Sequence, residues 1–258
     1  FKSWFSAIMK GDLGISLIYR QPVINIILEK FQASVFLMAA AWVLSGVIGY
    51  ILGIAMGLYK GSILDKVIKS ICIVFLSTPS FWIGILLIMG FSVYLGWFPI
   101  GLSVPVGEIS SEISLGTRIH HMVLPALTLC LASFGQIALH TREEIISVLQ
   151  SDYVLFARAR GKSNSQIVFD HGIRNTLIPI VTLQFSSFGE LFAGSILVEQ
   201  IFSYPGLGQG VVQACLRSDI PLLLGITIFS ALFVFVGNAT ANIIYGIINP
   251  RIGEVDYD

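Results

Sequence analysis

The densest run of chemistry-bearing side chains is Asp152-Tyr-Val-Leu-Phe-Ala-Arg-Ala-Arg-Gly161, followed by His171-Gly-Ile-Arg-Asn175 and Pro179. It is basic, it is short, and it carries a glycine that breaks a helix. Arg158, Arg160, Lys162 and Arg174 supply positive charge. A patch of this kind is a docking surface and holds no catalytic constellation. The rest of the chain offers none either. No Walker A, HExxH or nucleophile-elbow pattern is present. Gly206-Leu-Gly208-Gln-Gly210 is glycine-rich, but no Gly-Lys-Ser/Thr follows to cradle a phosphate.

Isolated polar groups are the next candidates. Glu190 lies in an apolar stretch, where a carboxylate is costly and marks a functional position by default. It is expected either to face cargo and pore water or to bond a neighbouring helix through Ser187, Asn238 or Asn242. His120 and His121 invite a metal reading. Neighbouring residues do not share a helix face, which argues against it. Cys72, Cys130 and Cys215 are far apart without CxxC spacing, so they read as buried packing residues and not as a disulfide or zinc framework.

These residues must be positioned by membrane helices. Of the 258 residues 55% are apolar and 12% charged, with mean hydropathy +0.85. Soluble domains carry about 25% charged residues, so a polar surface cannot be built here. Five apolar stretches are long enough to span a bilayer, at about 32–58, 68–95, 121–146, 176–200 and 221–248. The fold class is all-α and polytopic. Gly49, Gly53 and Gly57 repeat at four-residue spacing, which predicts one helix face suited to close approach. Pro79 predicts a kink. Pro125 and Pro179 fit first-turn positions. Residues 1–31 read as an external segment with turns, 32–250 as the membrane domain with a loop at 150–175, and 251–258 as a tail.

Orientation follows from Lys and Arg in the connecting loops. Lys60, Lys66, Lys69, Arg142, Arg158, Arg160, Lys162, Arg174 and Arg251 fall on one side. Arg118, Arg217, Lys2, Lys10, Arg20 and Lys30 fall on the other. The basic side, with the 150–175 loop and the C-terminus, is expected to be cytoplasmic. Phe1 is then outside, which leads us to expect a further helix before it and six in the native protein.

The 152–179 stretch resembles the "EAA…G" cytoplasmic loop of ABC importer permeases. Its form here, Ala157-Arg-Ala-Arg-Gly161, then His171, Arg174-Asn175 and Pro179, is similar to the dipeptide, oligopeptide and nickel permease family. Gly11-Asp-Leu-Gly-Ile-Ser16, Glu199-Gln-Ile-Phe-Ser-Tyr-Pro-Gly-Leu-Gly208, Arg217-Ser-Asp-Ile-Pro221 and Asn249-Pro-Arg251 resemble other parts of that family in order. The chain departs from the general loop in having Leu155-Phe156-Ala157 where Glu-Ala-Ala opens it, and Arg174 in place of proline. Asp152 could stand in for the missing carboxylate.

The resemblance implies a type I ABC importer permease in the bacterial cytoplasmic membrane. Residues 152–160 would form a helix that enters a groove on an ATPase subunit, with Gly161 at a bend before a second short helix. Asp152, Tyr153, Ala157, Arg158, Ala159, Arg160, Gly161, His171, Arg174 and Asn175 would couple the two. Ala157 and Ala159 suit close backbone approach. Glu199, Pro205, Gly206 and Gly208 would form a structural turn, and Glu190 and Asn238 would be the pore candidates. The implied partners are two ABC ATPase subunits that bind ATP and magnesium, a second related permease, an extracytoplasmic binding protein and membrane lipid, without nucleic acid. No cofactor or metal is expected in this chain. Phe91-Ser-Val-Tyr-Leu-Gly-Trp97 and Gly189-Glu-Leu191 with Gly194 favour nickel or a nickel-chelate as cargo, with di- or oligopeptides as the alternative. A stand-alone secondary transporter or channel is the second class; it would show inverted repeats and paired broken helices.

Overall fold

The computed structural model describes residues 6, 8, 10–103 and 114–248, without the side chains at 171, 174, 244, 245, 247 and 248. The expected tail at 251–258 and the Asn249-Pro-Arg251 boundary lie outside the described residues. Ten helices are described: α1 (Val23–Leu58), α2 (Ile63–Ser77), α3 (Ser80–Leu87, continued as a π-helix over Ile88–Tyr94), α4 (Leu115–Gln150), α5 (Asp152–Ala159), α6 (Asn164–Ile167), α7 (Ile173–Ser186), α8 (Phe188–Ile201), α9 (Leu207–Leu216) and α10 (Ile220–Ile248). A π-turn, Val168–Gly172, joins α6 to α7.

Among the described residues three helices are long and apolar enough to cross a bilayer: α1, α4 and α10. Two bent pairs pass the same test when joined, α2 with α3 at 106° and α7 with α8 at 49°. If each bent pair crosses once, these are the five expected stretches. The boundaries differ from the sequence reading. The break between α2 and α3 falls at Thr78–Pro79, where proline was expected to kink the chain. Pro125 and Pro179, expected in first turns, lie inside α4 and α7. Proline removes one backbone donor, and a helix packed on its neighbours continues through that loss. Lys66, Lys69 and Arg142, counted with the loops, also lie inside helices. Helix α1 begins at Val23, reaching into the segment read as external. Lys30 masks this start in the sequence, yet only 9% of it is exposed. Its stem lies beside Gly210, and its ammonium stands 5.8 Å from the Tyr19 ring centroid.

Contacts divide the chain into two compact units. The first comprises the described residues of 1–40, 80–129 and 192–236. Here Phe31 meets Phe229 and Phe233 edge-on, each at 4.9 Å between centroids. His120 and His121 each hold a backbone carbonyl, Trp97 O at 2.9 Å and Gly101 O at 3.1 Å. These contacts fasten the segment after α3. Asp219 is fully buried before α10. It accepts from Ser16 Oγ at 2.5 Å, Ile18 N at 3.0 Å and Leu222 N at 3.2 Å. Burial pushes its carboxyl up, and the Ser16 and backbone donors outweigh that, so it stays below the usual carboxylate range.

The second unit comprises the described residues of 41–79, 130–191 and 237–248. Its core gathers Met56, Cys72, Cys130, Phe134 and Ala138. Cys72 and Cys130 are therefore the packing residues expected, whereas Cys215, in the first unit, is exposed. The glycine face of α1 lies on α4. A Cβ at Gly49 would stand 2.7 Å from Phe134 O and 2.8 Å from Ile137 Cβ, and one at Gly57 would stand 2.6 Å from Ile145 Cβ. At Gly53 it would meet the Thr141 side chain and, at 2.7 Å, Ala138 O. Backbone atoms cannot give way cheaply. Gly53→Val is expected to cost about 2–3 kcal/mol, read as a lower thermal midpoint of the detergent-solubilised protein. Gly90→Val, at a helical glycine with nothing within 4 Å, should leave that midpoint in place.

One ion pair closes the α2–α4 corner. Arg142 Nε and Nη2 donate to Asp65 Oδ1 and Oδ2 at 2.7 and 2.9 Å, and both side chains are nearly buried. Asp65 also accepts from Gly61 N at 2.8 Å, while Ser62 caps α2.

Candidate functional site

The 150–175 loop folds as a short helix, a tight turn and a longer helical run. Asp152 stands in the first turn of α5 and Arg158 in its last, the polarity that the helix dipole favours. The helix ends in a Schellman motif: Lys162 N donates to Ala157 O at 3.1 Å and Gly161 N to Arg158 O at 2.9 Å. Gly161 takes φ +82° with nothing within 4 Å of where a Cβ would sit. Backbone conformation, not space, calls for glycine there. Two residues later Ser163 and Gln166 form a capping box that starts α6. The bend at Gly161 is as expected. The second short helix differs: α6 runs through the π-turn into α7 without a break.

Side-chain bonds brace this corner. Arg158 donates to Asn164 Oδ1 at 3.2 Å and to Leu149 O at 3.4 Å. Lys162 pairs with Asp170 at 2.7 Å. Asn175 Nδ2 donates to Tyr153 Oη at 3.1 Å, tying α7 to α5. Arg158, Tyr153 and Asn175, read from sequence as docking residues, thus also shape the element that would dock. Arg160 is the exposed C-cap. The side chains of His171 and Arg174 lie outside the described residues.

Burial separates the two faces of α5. Val154 is fully buried, while Leu155 is 61% and Phe156 75% exposed. Phe169, in the π-turn, is exposed as well. The sequence reading placed close contact on Ala157 and Ala159. Ala159 is exposed and Ala157 half-buried; the large projecting groups beside them are Leu155 and Phe156. An exposed aromatic beside arginines is the composition of an interface anchor. The signal was in the sequence, since Leu155-Phe156 stands where the general loop has small and acidic residues.

A cavity of about 250 Å³ lies between α4 and α7 in the second unit. His140 and Glu144 line it from α4, and Pro179, Thr182 and Ser186 from α7. Glu190 stands in the first turn of α8 and is exposed, as is Asn238 on α10. Among the described residues no hydrogen bond joins Glu190 to Ser187, Asn238 or Asn242; Ser187 Oγ donates to Gln184 O at 2.9 Å instead.

The turn expected around Glu199 is built in the first unit. Glu199 is fully buried. It accepts from Ser34 Oγ at 2.6 Å, Gly208 N at 2.7 Å and Gln209 N at 3.4 Å. Ser34 Oγ in turn accepts from Leu207 N at 2.8 Å. The carboxylate and the serine together take up the orphan donors that open α9. A Cβ at Gly206 would collide with the carboxylate, and one at Gly208 would stand 2.5 Å from Ile196 Cα. Pro205 follows Tyr204, whose N donates to Glu199 O at 2.8 Å. Burial and the nearby Glu199 charge push the Tyr204 hydroxyl up to about 12.

Residues 49–254 match the family model described as "Binding-protein-dependent transport system inner membrane component". The chain is 35% identical to the oligopeptide transport system permease protein AppB of Bacillus subtilis (strain 168), over 98% of this chain and 79% of that one. It is 35% identical to the di/tripeptide transport system permease protein DppB of Pseudomonas aeruginosa (strain UCBPP-PA14), over 94% and 77%. It is 36% identical to the glutathione transport system permease protein GsiC of Escherichia coli O6:H1, over 98% and 78%. A solved structure of the MetNI methionine ABC transporter in an inward-facing conformation superimposes with a TM-score of 0.70, covering 87% of this chain and 97% of that one at 15% identity. That likeness carries the fold.

Proposed function

Because the chain belongs to the family of binding-protein-dependent transport system inner membrane components, we propose that it is the multi-pass permease subunit of a peptide importer, driven through α5. The observation that carries the drive is the two-faced helix: Val154 anchors it from within, and Leu155, Phe156 and Arg160 are left outward for an ATPase groove. Two ATPase subunits that bind ATP and magnesium, a second permease and an extracytoplasmic binding protein complete the assembly we envisage. ATPase closure moves α5, the Schellman turn passes that motion to α6 and α7, and packed helices rock as rigid bodies. The loop and C-terminus face the cytoplasm in this reading, supported by the excess of Lys and Arg on that side. Glu190 and Asn238 are the polar groups we place on the cargo path.

On cargo the comparisons favour the peptide alternative over nickel. The similar proteins are named for oligopeptides, di- and tripeptides, and glutathione, and none of these names supports nickel. We therefore put peptides first. Uptake of a radiolabelled dipeptide and of ⁶³Ni²⁺, in cells lacking this chain and in cells complemented with it, tests the choice. Complementation is expected to restore dipeptide uptake alone. Restoration of nickel uptake alone would return nickel to first place. Transport by the purified chain alone in liposomes would instead support the stand-alone carrier.

A further inference from the structure

We propose that the cavity between α4 and α7 binds the primary ammonium of a peptide's N-terminus. The inference rests on the peptide reading above and deepens it. Beside the apolar Pro179, Ile180 and Leu183, the polar groups of the lining are mainly acceptors. Glu144 contributes a carboxylate, and His140, one turn earlier on the same helix, contributes an imidazole ring. Among the described residues neither side chain makes a hydrogen bond. On the facing helix Thr182 Oγ donates back to Ile178 O at 3.1 Å, and Ser186 Oγ donates back to Thr182 O at 3.0 Å. Their protons are spent within α7, so the lone pairs of both hydroxyls remain for a donor in the cavity.

Three kinds of ligand can be weighed against that lining. A carboxylate would meet the Glu144 carboxylate, and no Lys or Arg lines the wall to offset the repulsion. A divalent metal would find one carboxylate and one imidazole, and no group of three or more His, Cys, Asp or Glu suited to a metal occurs among the described residues. An alkylammonium brings one positive charge and three donors. It fits one carboxylate plus two hydroxyl oxygens, and charge-assisted bonds of that kind are the strong ones.

The test uses the assembled permease–ATPase complex in nanodiscs, with the binding protein left out so that its own selectivity does not intrude. Binding of a radiolabelled dipeptide is followed by scintillation proximity, with unlabelled dipeptide, its N-acetylated form, ethylammonium and NiCl₂ as competitors. The free-amine dipeptide and ethylammonium are expected to compete, and N-acetylation to weaken competition about tenfold or more. Glu144→Gln should weaken free-amine binding by a similar factor, and Ser186→Ala should weaken it less, without moving the affinity of the N-acetylated peptide. Equal competition by both peptides, competition by NiCl₂ but not ethylammonium, or full binding in both variants would each overturn the site. Dipeptide uptake by cells separates the two levels. Uptake without amine-selective binding removes this site and leaves the importer reading in place. Absence of dipeptide uptake removes the peptide reading and the site with it.

Discussion

Phe156→Ala is expected to strip the ATPase from the purified complex while leaving the permease folded. The side chain is 75% exposed, so its removal takes little from the fold; exposed substitutions of this sort usually stay within about 0.5 kcal/mol. An aromatic anchor at the centre of an interface is worth about 2–4 kcal/mol, which is roughly thirtyfold or more in Kd. Affinity purification through a tag on this chain, followed by blotting for the ATPase, reads the loss directly. Thermal unfolding of the same sample reads the fold. Retention of the ATPase by Phe156→Ala, together with retention by Leu155→Ala, would remove α5 as the docking element.

The neighbouring positions separate docking from architecture. Val154 points the other way and is fully buried, so truncating it should lower the unfolding midpoint first and ATPase retention only as a consequence. Arg158 is mixed. Its guanidinium bonds Asn164 and Leu149 within the chain, and a loss on substitution would report the corner's shape as much as any contact across an interface. Phe156 is the cleaner probe because no hydrogen bond of its side chain is given up.

Periodicity and turn chemistry were legible in the sequence. Gly49, Gly53 and Gly57 were read as one face from spacing alone, and each lies against α4. Gly161 was read as a bend, and its positive φ is the reason that only glycine sits there without strain. What did not show was long-range and electrostatic. Asp65 and Arg142 are 77 residues apart. Nothing local to either says that they meet, and a loop assignment for Arg142 was the natural reading of a charge near a span's end. Lys30 hid the first turns of α1 because a hydropathy window counts its charge, whereas the folded chain buries the stem and gives the ammonium an aromatic face. The prolines misplaced two helix starts, since a missing donor alone does not decide whether neighbours hold a helix together. The exposure of Phe156 followed from which side of an eight-residue helix Val154 anchors, and that is set by tertiary packing.

Glu199→Ala is expected to cost more stability than any other single change considered. The carboxylate is fully buried, and its removal strands three donors at once: the Ser34 hydroxyl and the amides of Gly208 and Gln209. An unsatisfied buried donor costs about 1–3 kcal/mol, and hydrogen bonds to a charged group are worth about 1.5–3 kcal/mol, so a loss of about 3–5 kcal/mol follows even with some relaxation. That is a large share of the 5–15 kcal/mol that holds a typical domain folded. The protein should fail to accumulate in membranes, or unfold in detergent at a sharply lower temperature. Glu199→Gln separates the bonds from the charge. The amide keeps one carbonyl oxygen for the α9 amides but presents a donor where Ser34 Oγ donates, so about half the loss should remain. Gly206→Ala attacks the same bond network from the other side, because its Cβ would occupy the space of the carboxylate. If the three variants rank as Glu199→Ala, then Gly206→Ala, then Glu199→Gln, the turn is held by the carboxylate's bonds to the start of α9. Wild-type stability in Glu199→Ala would mean that α9 is positioned by apolar packing alone.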